Sequence, residues 1–181
     1  GERMTAPADY FSGLKRASAV YDFTTGDENM FCDRIGLIKL TAENFHKRGI
    51  ETDFVILIHG PSTKFVTTSH GGTKFDGEKI PRLPEIHALM KSLSESGTVR
   101  IVTCGIAMGR HFVGKDNLVP FTVVEENVAE ISIALQNKGY AYMQVDLMAA
   151  PMKAANRVAA TPATPHAASI GEPRLCRTAE T

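Results

Sequence analysis

Five short apolar runs occur between residues 18 and 146, and segments with helical periodicity separate them. Ser18–Thr24 (SAVYDFT) predicts a short strand. The segment that follows, GDENMFCDRIGLIKLTAENFHKRG, sets Phe31, Ile35, Ile38 and Phe45 at helical spacing and ends on Gly49, a stop signal. Asp53–Gly60 (DFVILIHG) is apolar without polar alternation, as expected of a strand buried on both faces. Pro81–Gly97 predicts a second helix with Ile86, Leu89, Met90 and Leu93 facing inward. Val99–Thr103 reads as a third strand, Phe121–Glu125 as a fourth, Glu126–Gly139 as a third full helix and Tyr140–Val145 as the last strand.

Strand–helix alternation with short links predicts an α/β domain: three layers, a mostly parallel five-stranded sheet, and helices on both faces. Sites in such sheets form beyond the carboxyl ends of the strands. That rule selects Thr25 and Asp27 after the first strand, His59 after the second, Cys104 after the third, and Glu125 and Glu126 after the fourth. Outside the domain, residues 1–17 read as a polar N-terminal arm. Residues 147–181 are rich in Ala, Pro and Thr and poor in large apolar residues, as in a disordered tail or a strap over a neighbouring subunit.

Composition narrows the partners. Twenty basic and twenty acidic residues leave a formal net charge of zero, so no global field draws in nucleic acid. No apolar stretch approaches the roughly 18 residues of a membrane span. Gly1 in place of an initiator Met reads as a processed end. Three cysteines, Cys32, Cys104 and Cys176, form an odd set without a CxxC, so at least one thiol is free unless it pairs with another chain. Cys32 falls inside the first helix beside Phe31 and reads as core, while Cys176 lies in the tail as a candidate resolving thiol.

Cys104 supports two readings. Free cysteine is among the most buried of residue types and is commonly inert. A cysteine where a strand gives way to GIAMGRHF can instead sit at a helix start, facing unpaired N–H groups, with Arg110 and His111 adding positive charge. His59, Thr25, Asp27 and His111 are the candidate substrate-binding residues around it. A metal site is an alternative, with His59, Met108 and His111 as ligands for copper or haem. On a continuous helix Cys104 lies about 10 Å from His111 along the axis, too far to join them without a bend. The long segment Pro61–Pro81 reads as a solvated excursion or as a lid that brings Lys64, His70 or Lys74 to the site.

The pattern Cys104-x-x-Ala107-x-x-Arg110 resembles the active-cysteine motif of the DsrE/TusD sulfur-relay proteins. ALQNKGYAYMQV is similar to the closing helix, Gly-Tyr and strand of the wider DsrE/DsrF-like (YchN-like) family, and VILIHGPSTKFV resembles the second strand and His-Gly-Pro loop of some members. The resemblance covers about residues 18–146. It implies a three-layer α/β domain that assembles into homo-trimers or hexamers and takes sulfur as a persulfide for transfer to a small sulfur-carrier protein. By position Cys104 is then the sulfur acceptor and Arg110 its charge support, with no cofactor. Relay proteins are cytoplasmic, and a processed Gly1 would instead fit an exported relative. The alternative is a non-catalytic oligomeric protein that binds a small ligand or metal with the same loops.

Overall fold

The computed structural model describes residues 9–145. In chain order the elements are β1 (Arg16–Phe23), α1 (Glu28–Lys47), β2 (Glu51–Ile58), α2 (Leu83–Glu95), β3 (Val99–Cys104), α3 (Gly105–His111), β4 (Val123–Glu125), α4 (Val128–Asn137) and β5 (Ala141–Gln144). All five strands run parallel, in the order β4-β3-β2-β1-β5. The chain steps outward from β1 to β4 and then returns across the sheet to lay β5 beside β1. Right-handed crossovers place the helices of outward and return steps on opposite faces. Accordingly α1 and α2 cover one face and α4 the other, which makes the three layers.

The apolar runs explain the layering. Phe54, Ile56 and Ile58 of β2 point to the first face and pack with Phe31, Cys32, Ile35 and Ile38 of α1 and with Ile86, Met90 and Leu93 of α2. The alternate residues Val55 and Leu57 join Val20 and Val102 beneath Val128 of α4. Each such large side chain withdrawn from water contributes roughly 2 kcal/mol. Helix α1 starts where Asp27 accepts a hydrogen bond from the Met30 N–H at 2.7 Å. It stops at Gly49, whose φ of +72° suits a residue without a Cβ.

The predicted boundaries shift at several ends. β1 begins at Arg16, so strand pairing includes Arg16 and Ala17 of the predicted arm. Segment 61–81 packs in its first part, where Phe65, Val66 and Thr67 are fully buried after a 3-10 helix (Gly60–Phe65) and Thr67 bridges to Leu118, whereas Asp76 to Lys79 are exposed. The predicted tail, with Cys176, lies outside the described residues.

β5 is exposed along its length, and two tyrosines fasten it. Tyr140, just before it, donates to Asp53 at the start of β2, while Tyr142 donates to Asp22 near the end of β1 at 2.8 Å. Asp53 also takes Arg16 and, at 3.0 Å, Arg100. Burial pushes the Asp53 carboxyl up, but the bonds from Tyr140 and Arg16 and the charges of Arg100 and Arg16 hold it below the usual carboxylate value. Its ionised form is therefore favoured by folding, and the unfolded chain takes up a proton first as pH falls. We expect the stability lost in Asp53→Asn to be largest near neutrality and to vanish as pH drops through and below about 4. Urea midpoints of both proteins across that range check it, and a difference that stays constant with pH would refute it.

Candidate functional site

Beyond the carboxyl ends of β1, β2 and β3, on the α4 face, lies a cavity of about 540 Å³. Its size is that of a small-molecule site. Asp22, His59, Cys104, Arg110, His111 and Tyr142 line it, together with Leu57, Ile106 and, from α4, Val128, Ser132, Ile133 and Gln136. Register explains the convergence. Parallel strands present paired residues on the same face, and side chains alternate. Val20, Leu57 and Val102 point toward α4, so Asp22, His59 and Cys104, an even number of positions further on, point the same way. β2 and β3 pair as far as Ile58 and Thr103. One more step brings His59 level with Cys104, a strand spacing of about 5 Å apart.

Cys104 is a free thiol, 6% exposed, at the boundary of β3 and α3. It occupies the N-cap position, yet its sulfur caps nothing. The S–H instead donates to the Glu126 carbonyl at 3.6 Å, and the Ile106 N–H donates to that same carbonyl at 3.1 Å. Cys104 thus sits at a helix start as expected, and its thiol meets a neighbouring backbone carbonyl there rather than capping a helix N–H. Glu126 does not cap the helix that follows it: Asn127 caps α4 by accepting from the Ala129 N–H at 3.1 Å. The Glu126 carboxylate lies at the start of α3 instead, where a Cβ on Gly105 would come within 3.2 Å of its Oε2 and 3.3 Å of its Cα.

His59 and Asp22 form a hydrogen-bonded pair through His59 Nε2. Tyr142 donates to the other carboxylate oxygen of Asp22 at 2.8 Å. Burial raises the Asp22 carboxyl, but the bonds from His59 and Tyr142 and the His59 charge together hold it below its ordinary value. Asp22 therefore remains an acceptor at neutral pH. Arg110 is exposed at the rim and makes no ion pair or hydrogen bond among the described residues. His111 bonds through Nδ1 to the Ala107 carbonyl at 2.8 Å and stacks on Phe75 at 4.8 Å between ring centres.

The structure thus brings together four of the selected residues, Cys104, Arg110, His59 and His111. Thr25 and Asp27 are not among the lining residues. Thr25 Oγ1 accepts from the Asp27 N–H at 3.1 Å and Asp27 caps α1, so both shape the turn after β1. The proposed ligand set does not converge either. His59 and His111 line the cavity, but Met108 is buried on the other side of α3 against Phe75 and Val113. Among the described residues no group of three or more His, Cys, Asp or Glu side chains is placed to hold a metal ion. The predicted lid residues lie elsewhere as well: Lys64 pairs with Glu78 at 2.8 Å, His70 bonds to the Lys64 carbonyl, and the Lys74 N–H donates to the His111 carbonyl. Segment 61–81 therefore braces the back of α3.

Sequence reasoning passed over Asp22 and Tyr142. The signal for Asp22 was present: a lone carboxylate inside the apolar run AVYDF must find donors when the strand is buried. Tyr142 carries no such mark, because its role comes from β5 returning to pair with β1.

No family model matches the chain. It is 34% identical over 125 residues to an uncharacterized protein of Aquifex aeolicus (strain VF5), an alignment that covers 69% of this chain and 54% of that protein. The chain thus spans about half the length of that relative. Among solved structures it is similar to MTH1491, a protein of unknown function from Methanobacterium thermoautotrophicum, with a TM-score of 0.55 and 14% identity. That match covers 71% of this chain and 97% of MTH1491, and it establishes the three-layer α/β fold.

Two substitutions test the local geometry. Gly105→Ala forces a Cβ against the Glu126 backbone, and we expect a loss of about 1–3 kcal/mol in denaturant unfolding. Phe112 ends α3 at φ +57°, a left-handed conformation costly for a bulky side chain. Phe112→Gly should raise stability by about 1 kcal/mol, measured in the same assay.

Proposed function

We propose that this chain is a sulfur carrier of the DsrE/DsrF-like type, taking sulfane sulfur onto Cys104 and passing it to a partner protein. The observation that carries the reading is a free thiol on the wall of an open cavity at the carboxyl end of a parallel sheet. The motif resemblance around Cys104 and Arg110 supports it, as does a rim guanidinium that has no partner among the described residues and suits an anionic donor. Homo-trimers or hexamers belong to the same proposal.

The chemistry is an exchange at sulfur. The Cys104 thiolate attacks the terminal sulfur of a donor persulfide or polysulfide, a new S–S bond forms on Cys104, and the donor's own S–S bond breaks to release its thiolate. The sulfane sulfur changes owner and no external oxidant is consumed. Transfer to the partner repeats the exchange with the partner's thiolate as attacker.

Incubation with a polysulfide should add the mass of one sulfur atom to the Cys104 peptide, reversibly with dithiothreitol, and Cys104→Ser should abolish the gain. Arg110→Ala should slow loading about tenfold by removing local attraction for the anion. A Cys104 that stays unmodified in folded protein would overturn the carrier reading and favour a non-catalytic ligand site in the same cavity.

A further inference from the structure

The cavity holds a second set of groups that the motif resemblance does not assign. Asp22, His59 and Tyr142 arrive from β1, the end of β2 and β5, and they converge beside Cys104. We propose that His59 is the general base for the Cys104 thiol, with Asp22 and Tyr142 as positioning residues that hold the imidazole. The inference rests on Cys104 acting as a nucleophile, and it names the proton acceptor that such a role requires.

The geometry is that of nucleophile, base and orienter. The Nε2 of His59 is engaged by Asp22 Oδ1, whose carboxylate is secured from its other oxygen by Tyr142. A carboxylate partner makes Nε2 the N–H donor of the neutral ring, so Nδ1 is left as the basic nitrogen. Among the described residues nothing else bonds to that nitrogen. His59 and Cys104 each follow the last paired residues of β2 and β3, Ile58 and Thr103, and both line the cavity.

In the structure the thiol makes a long hydrogen bond to the Glu126 carbonyl. Rotation about the Cys104 Cα–Cβ bond exchanges this weak acceptor for the imidazole, one staggered position for another. The proton then passes from Sγ to Nδ1 and leaves a thiolate beside an imidazolium. Asp22 stays ionised and balances the new positive charge. The other charged and titratable groups around the pair are Arg110 and His111 from α3, Tyr142 from β5, and Glu126, whose carboxylate lies at the start of α3. Arg110 favours the thiolate and Glu126 opposes it, so the net charge from α3 and its neighbour does not replace a dedicated base.

The test is the rate of Cys104 alkylation by iodoacetamide, followed residue by residue by mass spectrometry across the pH range in which imidazoles and thiols titrate. It is carried out on the full chain, with unfolding curves recorded for every variant. For the wild type we expect reactivity that persists below the usual thiol range. His59→Gln should lower the rate near neutrality by at least about tenfold and leave a profile with a single thiol step. Asp22→Asn should lower it by a smaller factor, and Tyr142→Phe, which keeps the ring and its packing, by less again. Where His59→Gln fails to fold, the profiles of Asp22→Asn and Tyr142→Phe decide. Variants that fold and give the wild-type profile overturn the assignment. A wild type that never takes up sulfur but shows these shifts refutes the carrier reading alone. Sulfur loading that persists while His59→Gln keeps the wild-type profile refutes the general base alone.

Discussion

The burial of β2 on both faces is the constraint from which the rest of this structure follows. Phe54, Ile56 and Ile58 are covered by two helices and Val55 and Leu57 by a third, so no polar side chain can occupy the middle of that strand without an unmet desolvation cost. Polar chemistry is confined to its two ends. Asp53 at the start gathers Arg16, Arg100 and Tyr140, and His59 just past the end meets Asp22. Each cluster also secures β5, the strand with the least burial of its own. The carboxylates thus close the two ends of the sheet on the α4 face.

The cavity follows from an imbalance between the layers. Five parallel strands span about 19 Å from first to last. A helix with its side chains covers roughly 10 Å. On one face α1 and α2 lie side by side, and on the other α4 lies alone. Open grooves therefore flank α4, one beyond the carboxyl ends of β1, β2 and β3 with Cys104 on its wall, the other over β3 and β4 lined by Val102, Val123, Ile131 and Leu135. The first gathers Asp22 from β1, His59 from the end of β2, Cys104 from β3 and Tyr142 from β5.

Much of the fold was legible in the order and periodicity of the apolar runs. DFVILIHG announced a doubly buried strand, and the strand–helix rhythm announced parallel pairing. Cys104, His59, Arg110 and His111 were selected by their place after strands or by motif, and they do share one cavity. Thr25 and Asp27 were selected by the same rule and serve instead as turn and cap, because hydroxyl and carboxylate side chains after a strand also suit a helix start. Met108 shows the limit of helical spacing: the spacing relates it to His111, but which side of α3 faces the cavity is set by the packing of Phe75 and Val113.

The sequence by itself determined the fold class, the buried strands and the thiol at a strand's end, because hydrophobic periodicity and local backbone chemistry act over a few residues. Tertiary structure alone decided that Asp22 and Tyr142 belong to the site. They are separated by 120 positions and meet only because the last strand crosses back to pair with the first. It also decided that the Cys104 thiol meets the Glu126 carbonyl. Contacts of that kind depend on register between distant strands, and short-range patterns do not encode it.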